Sequence, residues 1–322
     1  MPPKNEFKVR DFKHVRTLGT GGEGTVELVT SPTGEKFALK FMYTSLFDDV
    51  RREFNTIKNV ESRHVVRYYR FFDLRKNPYR GFNVGILMEY VDGLDLFDTI
   101  RFIDTPEDQR FRMFVKAAHD IFHGLADLEV RGIVHRDIKP ENIVMEGLEP
   151  RFVIVDFGLG CRLKPQDATN MVACSLKDKS GTPSNYSPQR AEVNLHKRVK
   201  LACEGARKWE YDYHKDDVWS VGTVLAFIFT KKRGVECDFP AQCERMLLEP
   251  LAVQATLLDF KLSHAHENLI AQSFLKRLTA PCEADRITIQ KAVVMADIMF
   301  EKQFIGEATR RREKPVYPAT QF

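Results

Sequence analysis

Two short segments group residue types that could carry out phosphoryl transfer: HRDIKPEN at residues 135–142 and DFG at residues 156–158. Asp137 could orient an attacking hydroxyl group or accept its proton. Asn142 and Asp156 supply oxygen atoms of the kind that Mg²⁺ binds, and the metal would bridge phosphates that otherwise repel a nucleophile. A chance match to both segments, in this order and after a glycine-rich motif and a strand that ends in lysine, is very improbable. The sequence therefore predicts a site for magnesium-assisted phosphoryl transfer.

A glycine-rich motif lies near the start of the chain, where Gly19, Gly21 and Gly24 precede Val26. Glycines in such a loop let backbone N–H groups approach phosphate oxygens without a Cβ in the way. Alone the pattern is weak, because a glycine-rich hairpin turn explains it equally well. The motif leads into a strand and lacks a GK[ST] sequence, which disfavours Rossmann and P-loop nucleotide sites.

Lys40 ends an apolar run that is predicted to be a strand, and Glu53 follows on an amphipathic helix. A lysine with a buried stem needs an anion, and Glu53 is its natural partner. The ammonium group would then be held toward the α and β phosphates of a nucleotide. A solvated lysine at the end of a strand would be the better explanation if these were the only signals.

The elements that must position these residues change character near Tyr90. Before it, β-branched and aromatic runs separated by Gly, Pro and Asn predict strands, with one helix; after it, helical periodicity dominates. The predicted strands cover residues 25–30, 36–42, 65–72 and 82–90, and the predicted helices cover 48–60, 111–130, 219–229, 268–278 and 287–300. Residues 163–186 and 191–212 are predicted to be irregular, and a mobile basic tail is expected after Ile305.

Composition excludes several classes of protein. The chain has 322 residues, 43% of them hydrophobic, and a net charge of +4, which rules out a disordered chain and a polyanion-coating protein. Six cysteines without a CxxC pair indicate neither a disulfide framework nor a zinc site. No leader, lipid anchor or membrane span is expected, so the prediction is a soluble protein of a reducing compartment, cytoplasmic and/or nuclear. The HxH of His264 and His266 is interpreted as ordinary surface, and nucleic acid is not an expected partner.

Taken together and in order, these motifs resemble those of the eukaryotic-type protein kinase superfamily, on its serine/threonine branch, from about Phe12 to about Phe300. The resemblance implies an α+β class and a bilobal protein kinase fold: an N-lobe antiparallel β-sheet with one helix, and a mainly helical C-lobe. The implied organisation is an N-terminal extension (1–11), an N-lobe (12–90), a C-lobe (91–300) with an activation segment (156–189) and a basic insertion (191–212), and a basic tail (301–322).

The resemblance also implies ATP and Mg²⁺ as cofactors and assigns a role to each motif residue. Lys40 with Glu53 would act on the phosphates, Lys139 on the γ-phosphate and Asp137 on the hydroxyl. Asn142 and Asp156 would bind Mg²⁺, and Asp217 would hold the backbone of the catalytic loop. The nucleotide pocket would be formed by Gly19, Gly21, Gly24, Val26, Ala38, Lys40, the gatekeeper Met88, the hinge residues Glu89 to Val91, and Val144.

Thr182 lies in a Gly-Thr-Pro sequence similar to the loop that tethers the equivalent of Lys139 in serine/threonine kinases. The sequence departs from the family at Gln189, where a glutamate usually pairs with an arginine; Arg286 matches that arginine, so a Gln–Arg hydrogen bond is expected. Asp178 stands where many relatives carry a phosphothreonine and could order the loop by pairing with Arg136. A solvated acid is an equally good reading of Asp178. The alternative regulatory positions are Ser175, Ser180, Thr182 and Ser184.

The basic insertion at 191–212 could dock an acidic partner, although a solvated surface helix is the more ordinary interpretation. The sequence as a whole predicts an ATP- and Mg²⁺-dependent kinase that phosphorylates serine or threonine in protein substrates, with autophosphorylation as a further expectation. One rival is a pseudokinase scaffold, which the intact Lys40, Asp137, Asn142 and Asp156 argue against. Another is a kinase of small molecules or lipids, which Lys139 with Thr182 disfavours.

Overall fold

In the computed structural model, the chain is described over residues 7–21, 24–45, 47–147, 150–163, 174–175, 181–195, 211–232 and 250–305. The N-terminal part is a five-stranded antiparallel sheet in the order β1-β2-β3-β5-β4. Its strands are β1 Lys13–Gly21, β2 Gly24–Thr30, β3 Lys36–Met42, β4 Tyr68–Asp73 and β5 Val84–Glu89, and one helix, α1 Phe47–Ile57, connects β3 to β4.

Strand β3 shows why this sheet places Lys40 where it does. Successive side chains of a strand point to opposite faces. Phe37, Leu39 and Phe41 enter an aromatic cluster on one face, while Ala38 and Met42 join the main core on the other. Lys40 shares the second face, which is the face that borders the rest of the molecule. The alternating direction of side chains along the strand thus turns the lysine inward.

The C-terminal part is mainly helical. Its helices are α2 Leu96–Phe102, α3 Glu107–Glu129, α4 Pro188–Leu195, α5 Tyr213–Thr230, α6 Pro250–Leu257, α7 Ala265–Leu278 and α8 Ile289–Phe300. Helix α5 is buried on every side from Asp216 to Phe229, as expected of a segment that is apolar all round. The side chain of Asp212 caps it by accepting hydrogen bonds from the backbone N–H groups of His214 and Lys215.

Short strands frame the segment that carries HRDIKPEN. These strands are β6 Gly93–Asp95, β7 Ile133–Val134, β8 Ile143–Glu146, β9 Arg151–Ile154 and β10 Cys161–Arg162. Strand β8 pairs with β6 and β9, and β7 pairs with β10, all antiparallel. The segment between β7 and β8, which ends in a 3₁₀ turn at Pro140–Asn142, is therefore held at both ends, as is the DFG sequence between β9 and β10.

The fold class predicted from the sequence is confirmed, because a five-stranded antiparallel sheet with one helix precedes a mostly helical part. The prediction of an irregular segment at 191–212 is wrong at its start, because Pro188–Leu195 is helical; residues 196–210 lie outside the described part. The expected tail begins with one further helical turn at Glu301–Ile305. The rest of the tail also lies outside the described residues. The domain boundaries stay predictions. Among the described helices, none combines the length and apolar character needed to cross a bilayer.

Candidate active site

A cleft of about 500 Å³ opens between the five-stranded sheet and the helical part. All eleven residues that the sequence analysis assigned to the nucleotide pocket line it. Its lining consists of Leu18, Gly19, Gly21, Gly24, Val26, Ala38, Lys40, Val66, Tyr68, Met88, Glu89, Tyr90, Val91, Glu141, Asn142, Val144, Val155 and Asp156. One end of this set is apolar and the other carries amide, ammonium and carboxylate groups, so the cleft has two chemically different ends.

Strand register explains how distant residues meet at the apolar end. Val26 lies opposite Lys40 across β2 and β3, and Ala38 lies opposite Met88 across β3 and β5. Val144 approaches from β8 in the helical part and packs against the same core. These side chains form the walls of a slot in which a flat aromatic ring can lie.

The glycines of the motif serve different purposes. Gly24 has φ of +148°, and a Cβ there would lie 2.0 Å from the carbonyl oxygen of Phe41, so the close approach of β2 to β3 requires glycine at this position. A Cβ on Gly19 or Gly21 would meet nothing within 4 Å. Those two positions leave open space above the cleft, where a ligand can approach the backbone.

Lys40 contacts Asp156 at the polar end of the cleft. Its Nζ lies 3.2 Å from Oδ1 of Asp156, and both groups line the same wall. Burial raises the pKa of the Asp156 carboxyl, but the charge and hydrogen bond of Lys40 outweigh this and lower it below its usual value. Asp156 is therefore an anion at neutral pH, and its backbone takes the left-handed conformation (φ 60°) that aims the side chain into the cleft.

Tyr68 is a residue of this site that the sequence analysis did not identify. It is buried, its ring stacks on Phe54 of α1 and meets Phe157 edge-on, and its hydroxyl lies 3.5 Å from the backbone nitrogen of Phe157. Burial raises the pKa of the tyrosine, and the nearby charges of Glu53 and Lys40 act on it in opposite directions. The buried Glu53 thus lies in the same neighbourhood as Lys40, while their direct pairing stays a prediction. An aromatic residue in a β-rich run carries no signal that could have revealed this position.

Asp217 anchors the catalytic loop, which is the HRDIKPEN segment at residues 135–142. Its two carboxylate oxygens accept hydrogen bonds from the backbone N–H groups of His135, at 2.8 Å, and Arg136, at 2.9 Å. Arg136 has a positive φ of 68°, which is costly for a residue with a side chain and needs such support. Complete burial raises the pKa of Asp217 to about 7. Asp217 thus holds the backbone of this loop, as the resemblance to protein kinases implies.

His135 locks the loop to the strand that leads into DFG. Burial lowers its pKa, so the ring is neutral. Its Nε2 donates to the carbonyl oxygen of Val155 at 3.0 Å, and its Nδ1 accepts from the N–H of Asp137 at 3.2 Å. Only the tautomer with the proton on Nε2 satisfies both contacts. The backbone at Asp137 and the backbone just before Asp156 are therefore tied together through one ring.

Asp137 is the centre of a compact polar cluster. Its Oδ1 accepts a hydrogen bond from the Thr182 hydroxyl at 2.7 Å, and its Oδ2 lies 2.8 Å from the Lys139 ammonium. Lys139 also reaches the Thr182 oxygen, at 3.3 Å, as the sequence predicted. Asn142 donates from its amide nitrogen to the backbone oxygen of Asp137, which turns the amide oxygen away from it. All the predicted catalytic groups except Glu53 thus meet in one cluster or along the adjoining wall of the cleft.

A comparison with known families decides what this arrangement is. The family model described as the protein kinase domain matches residues 12–296. The chain belongs to the protein kinase family. This match confirms the predicted superfamily, and the family implies the use of ATP, usually with Mg²⁺. The predicted serine/threonine branch is supported by curated relatives, among them CBL-interacting serine/threonine-protein kinase 8 of Arabidopsis thaliana, 28% identical over 92% of this chain and 59% of that protein.

Curated relatives agree with this assignment. The kinase domain is 27% identical to CBL-interacting protein kinase 9 of Oryza sativa subsp. japonica, over 94% of this chain and 59% of that protein. It is 28% identical to maternal embryonic leucine zipper kinase of Xenopus laevis, over 65% of this chain and 28% of that protein. It is also 28% identical to the probable cAMP-dependent protein kinase catalytic subunit of Encephalitozoon cuniculi, over 68% of this chain and 60% of that protein. The chain thus spans 28 to 60% of the length of these relatives.

The regulatory positions proposed for the kinase domain are only partly visible. Asp178 and Ser180 lie outside the described residues. Ser175 is exposed. The Thr182 hydroxyl is engaged by both Asp137 and Lys139, which makes Thr182 a part of the catalytic cluster. Its regulatory role stays a prediction.

A disulfide bond beside the DFG sequence corrects the expectation that the cysteines form no cross-links. Cys161, three residues after Gly158, is bonded to Cys174, with their Cα atoms 5.0 Å apart. Cys161 pairs in register with Val134, so the bond attaches the activation segment to the strand that precedes the catalytic loop. Cys282 is disulfide-bonded as well. Sequence spacing could not reveal these bonds, because folding decides which cysteines come together.

Replacing Cys174→Ser is expected to lower the free energy of unfolding of the kinase domain by about 2 to 3 kcal/mol. The bond closes a loop with a sequence separation of 13, and opening it frees the unfolded chain. Urea unfolding without reductant measures the loss, and peptide mapping without reductant verifies the Cys161–Cys174 link. The double variant Cys161→Ser/Cys174→Ser serves as the control for the bond itself, since breaking it a second time adds nothing. Unfolding of Cys174→Ser at wild-type denaturant concentration would show that the bond contributes no stability.

The Gln189–Arg286 contact predicted from the sequence is present. The buried Arg286 donates to Oε1 of Gln189 at 2.6 Å, and its other N–H groups donate to backbone oxygens of Lys215 and Ala280. Among the residues that the structure describes, no carboxylate lies within 4.0 Å of its guanidinium group. Burial lowers the pKa of Arg286 to about 10. Hydrogen bonds from Arg286 to neutral oxygens thus take the place of the family's usual ion pair.

Gln189→Ala is expected to destabilise the kinase domain by about 2 to 4 kcal/mol, because it removes an acceptor from a buried charged donor and the bond from Gln189 to the backbone oxygen of Pro281. Gln109→Ala, at an exposed position in the first turn of α3, is the matched control and should change stability by less than about 0.5 kcal/mol. Chemical unfolding of both variants measures the difference. Equal losses in the two would mean that Gln189 contributes nothing specific.

Proposed function

We propose that the chain is an ATP- and Mg²⁺-dependent serine/threonine protein kinase. The observation that supports this best is the cluster around Asp137, in which the carboxylate lies within hydrogen-bonding distance of both Lys139 and Thr182. The cluster adjoins a cleft whose polar wall carries Lys40, Asn142 and Asp156. A family fold alone would not fix an activity, but an intact set of groups at these distances supports one.

The residues that line the cleft fit ATP and Mg²⁺. The slot between Val26, Ala38 and Val144 suits a purine ring, and the space above Gly19 and Gly21 suits phosphates held by backbone N–H groups. The amide oxygen of Asn142 and the ionised carboxylate of Asp156 are the hard oxygen donors that Mg²⁺ prefers. When bound, the metal would neutralise charge on the phosphates.

Catalysis would then depend on positioning and charge. Lys40 would give up part of its contact with Asp156 in order to reach the α and β phosphates. Glu53 on α1 would be its partner. Lys139 would approach the γ-phosphate. Asp137 would orient the hydroxyl of the protein substrate, and Asp217 and His135 would keep its backbone in place. Each of these groups holds or orients a reacting group, so each is testable by substitution.

The choice of serine and threonine over tyrosine depends on Thr182. Its hydroxyl contacts both the Asp137 carboxylate and the Lys139 ammonium, and so holds these two groups together in one compact cluster. The small aliphatic hydroxyl of serine or threonine needs its acceptor close to the γ-phosphate position. This arrangement favours serine and threonine in a protein substrate.

A scaffold that binds nucleotide without turnover is the rival function, and one assay separates the two. Purified chain is incubated with radiolabelled ATP, Mg²⁺ and a generic basic protein, beside the variant Asp156→Asn. Transfer to the basic protein or to the chain itself that is absent in the variant supports the kinase. A thermal shift with ATP and Mg²⁺ but no transfer by the wild type would favour the scaffold.

Regulation, docking and location complete the proposal. We infer that Asp178 orders the activation segment without phosphorylation. Phosphatase-treated wild type should then keep full activity while Asp178→Ala loses it, and equal activities would contradict the idea.

Docking of a protein partner is assigned to the basic insertion at 191–212, of which only the ends are described. The names of some relatives include interaction with CBL proteins, and the docking of a regulator here is by analogy with them. The proposed location is the cytoplasm and/or nucleus.

A further inference from the structure

We propose that two histidines and an aspartate on two packed helices of the helical part form a Zn²⁺ site. His119 and His123 lie one turn apart on the same face of α3, and Asp297 faces them from α8. The Oδ1 atom of Asp297 lies 2.8 Å from Nε2 of His123 and 3.7 Å from Nε2 of His119. The three ligand atoms lie within 4.8 Å of one another.

These separations are close to those of a tetrahedral zinc site. With zinc-to-ligand bonds of about 2.0 to 2.1 Å, neighbouring ligand atoms are about 3.3 Å apart. The two distances to Asp297 lie on either side of that value, and the third separation is within 4.8 Å, so small side-chain shifts would bring all three atoms to one ion. Because α3 and α8 pack along each other, such an ion would join the two helices.

The His119 ring is already oriented for a metal. Its Nδ1 lies 2.8 Å from Oδ1 of Asp120, which leaves Nε2 directed to the site. Asp120 is buried and fixed in turn by the backbone N–H of Phe152 and by the Lys116 ammonium, and the ring of Phe300 stacks on His119 at 4.3 Å. A carboxylate that holds the other nitrogen of a liganding histidine is a common feature of zinc sites.

The donor set indicates the kind of ion. Two imidazole nitrogens and one carboxylate oxygen suit Zn²⁺ and related transition metals, whereas Mg²⁺ and Ca²⁺ prefer oxygen alone. The side chains of His119, His123 and Asp297 are 22%, 37% and 41% exposed, so an ion can enter from solvent and water can complete its coordination. The site is separate from the predicted magnesium ligands Asn142 and Asp156.

Zinc titration tests the site on the full chain, stripped with a chelator, desalted and free of nucleotide. Calorimetry should find a Zn²⁺ ion whose affinity falls at least roughly tenfold in His123→Gln and in Asp297→Asn. Zinc in large excess over Kd should also raise the Tm of the wild type by several degrees, and this rise should be absent in both variants. All three side chains are partly exposed, so the variants are expected to fold, which circular dichroism verifies.

Two control variants make the result specific. His264→Gln/His266→Gln removes the exposed histidine pair and should leave the zinc affinity unchanged. Asp156→Asn removes a carboxylate of the nucleotide cleft and should also leave it unchanged. Zinc binding and the zinc-dependent rise in Tm that persist in both His123→Gln and Asp297→Asn would overturn the proposal, as would their loss in the His264→Gln/His266→Gln control alone.

Discussion

Asp137→Asn is expected to lower kcat by roughly 10² to 10⁴ while leaving the fold intact. An asparagine of the same shape can still accept the hydrogen bond from Thr182 through its one remaining oxygen. It cannot carry the negative charge that faces Lys139 and that would orient or deprotonate the substrate hydroxyl. Steady-state kinetics with a peptide substrate measure the rate, and the Tm measures the fold.

The matched control is Asp285→Asn, which makes the same chemical change at an exposed position. It should retain the wild-type kcat. An Asp137→Asn enzyme with near wild-type turnover would remove Asp137 from its proposed role. A loss of kcat accompanied by a large fall in Tm would show that Asp137 supports the fold and would contradict the prediction.

Asp217→Ala is expected to destabilise the chain by about 2 to 5 kcal/mol and to reduce kcat as well. The substitution leaves the buried backbone N–H groups of His135 and Arg136 without their acceptor, and each lost acceptor costs about 1 to 3 kcal/mol. Arg136 can then relax from its left-handed conformation, and Asp137, the next residue, moves with it. Urea unfolding and steady-state kinetics on the same preparation measure both effects.

Thr223→Ala is the control for a buried polar contact on the same helix. Thr223 is buried in α5 and donates only to the backbone oxygen of Ser220. Its removal should cost no more than about 1.5 kcal/mol and leave kcat unchanged. If Asp217→Ala behaved like this control in both measurements, the carboxylate would not be what holds the catalytic loop.

Local sequence was enough to predict Lys40, Asn142 and Asp156 as residues of the site, whereas the apolar residues of the cleft were assigned through the resemblance to protein kinases. Alternation in β3 directs Lys40 and Ala38 to the same face, and the spacing within HRDIKPEN places Asp137, Lys139 and Asn142 in one loop. These relationships act over a few residues, so they are visible before folding. The resemblance to protein kinases then supplied the partners that lie far away in the chain, such as Asp217.

Contacts that depend on long-range packing could not be predicted in the same way. Tyr68 joins the site because α1 and the DFG segment both pack on β4. The disulfide of Cys161 and Cys174 and the approach of Asp297 to His123, 174 residues away in the chain, follow from the completed fold. Helix α4 was also missed, because it is only eight residues long and begins at Pro188.

Identifying the amino acid that carries the transferred phosphate tests the central claim most directly. The γ-phosphate of labelled ATP is transferred, with Mg²⁺, to a protein substrate that offers serine, threonine and tyrosine, and the product is hydrolysed to its phosphoamino acids. The cluster of Asp137, Lys139 and Thr182 predicts phosphoserine or phosphothreonine that disappears in Asp156→Asn. Label on tyrosine alone, or label that persists unchanged in Asp156→Asn, would contradict the proposed serine/threonine kinase.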